Sequence, residues 1–212
     1  MQKQIQQQIE RIMAQGATYV DARWYPFDEV NSLTMWNGNL KSAYTARESG
    51  VGVRVLYQGA WGFCASSDLS NPSDLFDRAL GNARTAAQRV TFPVRLAEKD
   101  SIQASFQSPC QIDPFGVPLG EQVTFLSRLD GLLNQPGVEQ RVSSIDLMRK
   151  QILFFDSEGS QIEKQITEVF GMLRVLGRDA QGGMQVRSFR LNRQGETRGW
   201  ESFDAQFFAQ QA

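Results

Sequence analysis

The chain has 212 residues, 41% of them hydrophobic, enough for one large domain or two small ones with a real core. Lysine and arginine total 22 against 23 aspartates and glutamates, and a net charge of −1 supplies no long-range field for nucleic acid or an anionic membrane. There is no histidine, which excludes Ser-His-Asp and Cys-His catalysis and every zinc site that draws on histidine ligands.

Ile5, Ile9, Ile12 and Met13 form one apolar stripe, so the chain is expected to open with a helix, capped at Gly16. The N-terminus has no apolar segment of signal-peptide type, and no run approaches the roughly 20 residues that span a bilayer. Thr18 to Tyr25 alternates as a strand, which Pro26 is expected to end. Val30 to Trp36 reads as a second strand, turned by Asn37-Gly38 into Leu40 to Arg47. Glu48-Ser49-Gly50 is expected to turn the chain into Val51 to Tyr57, and Gln58-Gly59 into Ala60 to Ser66. This is a meander of about five strands. Asn71-Pro72-Ser73-Asp74 announces a helix with Phe76, Leu80, Ala83, Ala87 and Val90 on its buried side. Its alanines let it lie close to a sheet.

Residues 93–118 carry four prolines and no sustained period, and read as a linker or crossing loop. A second unit follows. Its helix presents Val123, Leu126, Leu129, Leu132 and Leu133, and its strands are Val138 to Leu147, Gln151 to Phe155, Ile162 to Leu176 and Met184 to Leu191. The expected fold is α+β: two units, each a helix followed by an antiparallel β-meander. The expected domains are 1–92 and 119–201, with 202–212 as a terminal helix or the start of a following segment. Phe203, Phe207 and Phe208 fall at helical spacing there, which suggests that the chain continues or that this helix docks elsewhere.

Few residues offer chemistry. The glycines around 50–52 and 59–62 lie in hairpins, lead into no helix and lack a Gly-Lys-Ser/Thr, so turns and close strand approach explain them better than a phosphate cradle. Asp28-Glu29, Asp100, Asp113, Asp130, Asp156, Glu158, Glu196 and Glu201 are scattered, with nothing to mark a catalytic pair. Trp24, Tyr25, Trp36, Tyr44, Tyr57, Trp61 and Phe63 suit a core or interface better than a base-stacking platform, because few cations lie between them. Arg187, Arg190, Arg193 and Arg198 read as a solvated edge. Cys64 lies mid-strand and reads as packing, and with Cys110 it makes two reduced thiols rather than a disulfide framework.

The stretch Gly50-Val51-Gly52-Val53-Arg54-Val55, with Gly59 and Gly62-Phe63 after it, resembles the N-terminal signature of the TldD/PmbA family. Ala17 to Arg23 is similar to that family's first strand, Asn37-Gly38-Asn39-Leu40 to its turn, and Ser67 to Ser70 to the lead into its next helix. The second unit, ending in Gly199-Trp200-Glu201, is similar to the middle domain, so the resemblance covers nearly the whole chain. It implies a bacterial or archaeal protein assigned to the zinc peptidases, linked to processing or degrading unfolded peptides, with an older naming tied to modulation of DNA gyrase. The motif positions Asn37, Gly38, Gly50, Gly52, Arg54, Gly59, Gly62, Phe63 and Gly199 are expected to be structural.

The resemblance implies that the TldD-like branch carries a His-Glu-x-x-x-His zinc motif in a C-terminal domain, before which this chain is expected to end, and that related members without the motif act as partner subunits. No catalytic, metal or cofactor residue is therefore expected here, and zinc is expected only in that missing domain. The resemblance further implies a homodimer or heterodimer with a family member and a peptide substrate for the full-length protein; the two sparse thiols read as cytoplasmic, and the near-neutral charge and lack of a spanning run lead to no expected direct nucleic-acid or membrane partner. The function expected is the non-catalytic portion that shapes the peptide chamber and dimer contacts. A free-standing interaction module or inactive partner subunit, and more distantly a regulator of DNA gyrase, stand as alternatives. Ile162 to Leu176 is the strand expected to hold an extended peptide by main-chain hydrogen bonds.

Overall fold

The computed structural model describes residues 1–190 and 197–211; the expectations placed on Leu191, Arg193, Glu196 and Ala212 lie outside them. Helix α1 (Gln2–Ala14) buries Ile5, Ile9 and Ile12, and Gly16 ends it with φ +93. Strand β1 (Tyr19–Trp36) then runs unbroken through Pro26, where sequence reasoning expected two strands. The proline ring holds φ near −65°, which an extended backbone accepts. Strand β2 (Asn39–Tyr57) likewise passes through Glu48-Ser49-Gly50 without reversing, because Gly50 stays out of the left-handed region. The true reversals are the two-residue turns Asn37-Gly38 (φ 47 and 77) and Gln58-Gly59 (φ 47 and 78), the second leading into β3 (Ala60–Ser66).

Helix α2 (Pro72–Ala87) starts at its proline, although Asn71 makes no side-chain cap bond, and its buried stripe ends at Ala83. The expected linker contains a short strand, β4 (Gln103–Gln107). Ala104 and Phe106 alternate with polar residues, but every position is exposed, so the strand joins the sheet through its backbone without burying an apolar face. Helix α3 (Leu119–Leu133) buries Leu126, Leu129 and Leu133 and leaves Leu132 outside the stripe. The pairs expected around Leu147 and Gln151 are one strand, β5 (Val138–Asp156), followed by β6 (Gln161–Arg178), β7 (Met184–Arg190) and α4 (Ala205–Gln211).

The strands pair in the order β3-β2-β1-β5-β6-β4, with β7 also on β6. The α+β sheet is largely antiparallel; β4 joins β6 in parallel. Two compact units interleave along the chain, unit 1 being Met1–Asp28, Glu48–Gln107 and Lys150–Gln165, and unit 2 Glu29–Arg47, Ser108–Arg149 and Ile166–Ala212. Residues 29–47 and 48–92 of the expected first domain thus fall in different units. Strands of 18 and 19 residues cause this, far beyond the usual five or six, because each has its two ends in different units.

In unit 1, α1 and α2 cover one sheet face. Val20, Ala22, Val51, Val53, Val55 and Cys64 meet Phe76, Ala79, Leu80 and Ala83 there, and Arg11 ties the helices together through Asp77 at 2.8 Å. A fully buried side chain such as Phe76 contributes about 1.5–3 kcal/mol. The approach of α2 depends on Gly62, because a Cβ there would sit inside van der Waals contact of the Ala79 carbonyl oxygen and the Ala83 amide nitrogen.

In unit 2, α3 and α4 pack Leu129, Leu133 and Phe208 against Leu147, Val169 and Leu173. Gly171 leaves the space that the Phe208 ring occupies. The Gly199-Trp200-Glu201 segment is a clasp. Trp200 donates its backbone N–H to Ile112 O at 2.8 Å and meets Phe125 and Phe203 edge-on. The Glu201 carboxylate accepts the backbone N–H groups of Gly199, Gln111 and Ile112 at 2.9–3.1 Å. Burial works against its charge, but these donors outweigh it and hold the carboxyl at about 2.

Strand β6 is not the free edge expected of Ile162 to Leu176. Within unit 1, β4 pairs Gln161 to Gln165. Within unit 2, β7 pairs Met172 to Arg178, and Ser108 Oγ accepts the Thr167 N–H at 2.8 Å.

Gly62→Ala is expected to push α2 off β3 and to destabilise the chain by roughly 1–3 kcal/mol, read as a lower urea midpoint. An unchanged midpoint would mean that the contact does not limit the packing.

Candidate functional site

The residues of β1, β2 and β3 that alternate away from α1 and α2 form the second face of the unit 1 sheet. On it lies a cavity of about 510 Å³. Its ionic frame is Asp21, Arg23 and Arg54; its floor holds Gly50 and Gly52; Tyr25 and Phe63 line it beside them. Four of the nine motif positions, Gly50, Gly52, Arg54 and Phe63, are thereby brought to one place. Asn37, Gly38, Gly59, Gly62 and Gly199 lie elsewhere, at turns and close packing contacts.

Asp21 is 1% exposed, and a buried carboxylate is costly unless paired. Arg54 pairs it in a bidentate fork, Nε at 3.0 and 3.1 Å and Nη2 at 2.6 Å. These bonds push the guanidinium pKa still higher. The Arg54 guanidinium lies 5.1 Å from the Trp61 ring centroid, and Trp61 meets Tyr19 edge-on at 5.9 Å. Arg23 is exposed, lies over Phe154 at 5.7 Å and has no hydrogen bond or ion pair among the described residues. Nothing local in the sequence links Asp21 to Arg54. The shared alternation of 21-23-25 with 50-52-54 was the available signal.

Several of the other candidate acids are paired with basic side chains. Asp156 is bonded by Lys99 at 2.6 Å; burial pushes its carboxyl up, but that bond and those from Ser160 outweigh it and hold it below its ordinary value. Asp130 pairs with Arg141 at 3.1 Å, and Glu29 with Arg149 at 2.7 Å. Asp113 stands 3.7 Å from Arg149. Trp36 and Tyr44 belong to unit 2, while Trp24 and Tyr57 pack on the unit 1 core. Arg187 and Arg190 lie exposed on β7. Both cysteines are free, Cys64 within the core.

The chain has no histidine, and among the described residues no three of His, Cys, Asp and Glu gather as metal ligands would. No described helix is long and apolar enough to cross a membrane.

Comparison with known proteins places these features in context. Residues 28–83 match the family profile described as PmbA/TldA metallopeptidase domain 1. The chain is 25% identical over 190 residues to a metalloprotease of Methanocaldococcus jannaschii, covering 87% of this chain and 41% of that protein. It is 26% identical over 152 residues to a metalloprotease of Methanothermobacter thermautotrophicus, covering 72% of this chain and 33% of the relative. The fold is that of a Thermotoga maritima crystal structure of a candidate DNA gyrase modulator, with a TM-score of 0.78 at 16% identity over 100% of this chain and 47% of that one. TldE from Thermococcus kodakarensis gives 0.67 at 11% identity over 98% and 46%. The chain therefore spans less than half the length of each of these relatives.

Tyr19, 5% exposed behind this site, is pushed up to about 12, first by burial and then by the charges of Asp21 and Asp156. Its folded value lies above the ordinary 10.0, so folding favours the neutral phenol. That stability is complete below about pH 10 and is lost as the pH rises toward 12. Alkaline titration followed by tyrosinate absorbance is expected to show a step near pH 12 that Tyr19→Phe removes.

Proposed function

Because this chain belongs to the TldD/PmbA family, we propose that it is the non-catalytic front portion of a metallopeptidase of that kind. In this reading it shapes the chamber that holds an unfolded peptide and supplies contacts for a homodimer or heterodimer in the cytoplasm. The observation that supports the reading is that the chain covers 41% and 33% of two metalloprotease relatives. Metalloprotease relatives more than twice as long match this chain, which has no histidine with which to hold a zinc ion or serve as a base. Zinc and the hydrolytic chemistry it supplies belong, in this reading, to a part of the protein outside these 212 residues.

The gyrase description carried by the Thermotoga protein favours a second reading, a gyrase-directed regulator. A net charge of −1 then points to contact with protein rather than with DNA. A salt-sensitive mobility shift on duplex DNA would count against that restriction.

The main reading is tested by a peptidase assay with an unfolded protein as substrate and zinc present. The purified chain alone is expected to give no hydrolysis. Mixing it with a family member that bears the zinc motif is expected to give hydrolysis dependent on that member's metal. Hydrolysis by the chain alone, abolished by a chelator, would overturn the reading.

A further inference from the structure

The motif glycines divide by what requires them. Gly59 has φ +78, and a Cβ there would strike Pro93; Gly62 has the α2 backbone against it; Gly199 is wedged against Ile112 and Cys110. Gly52 has none of these constraints. Its φ is not positive, and a Cβ would touch only the Phe63 ring, at 3.4 Å, an ordinary contact with a side chain that is 59% exposed. Gly50 also has no positive φ, and its nearest neighbour would be the Ser66 carbonyl oxygen at 3.2 Å. Packing inside the chain therefore does not demand glycine at 52. What a side chain there would do is fill the floor of the 510 Å³ cavity.

The ionic frame of the cavity is unbalanced. Asp21 is saturated by Nε and Nη2 of Arg54. Nη1 of Arg54 and the whole guanidinium of Arg23 have no hydrogen-bond partner among the described residues. Two cations against one anion leave a net positive charge beside a mostly apolar floor of glycine, Phe63 and Tyr25. The volume lies within the range of small-ligand sites, about 300–1,000 Å³. A ligand that satisfies this pattern has one carboxylate and one bulky apolar group held close together.

We propose that the cavity binds the C-terminal residue of an extended peptide, its carboxylate on Arg23 and Nη1 of Arg54 and its apolar side chain on the glycine floor beside Phe63. A chain end meets the pattern in one residue, because its carboxylate and side chain spring from the same Cα. The inference rests on the peptide-handling reading above and adds the recognised feature, a free apolar C-terminus.

The test is calorimetric titration of the purified chain with acetyl-Ala-Ala-Phe bearing a free carboxylate, and with its C-terminal amide. The acid is expected to bind saturably and the amide at least about tenfold more weakly, the loss typical of one charge-assisted hydrogen bond. Arg23→Gln, at an exposed position, is expected to weaken the acid by a similar factor and leave the amide unchanged. Gly52→Val is expected to abolish binding; should that variant fail to fold, Arg23→Gln carries the test. Equal affinity for acid and amide, indifference to Arg23→Gln, or no binding by the folded chain would overturn the inference. So would an amidated peptide ending in glutamate that binds as tightly as the free acid, which would make the site one for side-chain acids. Capture of an unfolded protein by a chain that ignores the tripeptide acid would sink the cavity and leave the peptide-holding reading intact. Failure of both would sink both.

Discussion

A carboxylate with 1% exposure sits in the sheet of unit 1, and the guanidinium of Arg54 makes that position tolerable. Removing a buried charge from water costs several kcal/mol, and a bidentate partner offsets it only in good geometry. The neighbouring strands β1 and β2 must therefore hold one relative position, with Asp21 and Arg54 on the same side. Once they do, Val20, Ala22, Val53 and Val55 point to the other side, where α1 and α2 meet them. The same alternation sets Arg23, Tyr25, Gly50 and Gly52 around Arg54, so core and cavity are two consequences of one register.

The glycines then do separate work on the two faces. On the helix side, Gly62 lets Ala79 and Ala83 approach to backbone contact, and without it α2 would stand further out. On the open side, Gly52 creates space that nothing inside the chain needs. A single signature in the sequence thus has glycines on both faces of the sheet, Gly62 toward α2 and Gly52 toward the cavity. Strand geometry makes this natural, because successive residues face opposite ways.

Much of this was legible before any coordinates. The stripe of Ile5, Ile9 and Ile12, the turns at Asn37-Gly38 and Gln58-Gly59 and the close alanine face of α2 are local signals, and each appears where the pattern placed it. The misreadings share one cause. Pro26 and Glu48-Ser49-Gly50 carry the chemistry of breaks, yet long strands carry the chain through both because their neighbours demand extended backbone. Strand β4 was missed because the alternation of Ala104 and Phe106 is short, lies in a stretch broken by prolines and stays exposed, and its pairing with β6 depends on a distant segment. The interleaving of the two units was illegible for the same reason, since it depends on which distant segments meet. Asp21 and Arg54 were each visible, but 33 positions separate them and their pairing emerges only with the register.

The Asp21–Arg54 pair positions both the helix-covered core and the open cavity. The most direct measurement is a double-mutant cycle with Asp21→Asn, Arg54→Met and the combined variant, followed by urea unfolding. Strong non-additivity is predicted, a coupling of at least about 1.5 kcal/mol, with the double variant more stable than the sum of the single losses implies. Effects that add to within about 0.5 kcal/mol would show that the two side chains act independently, and would contradict the claim that their pairing organises this face of the sheet.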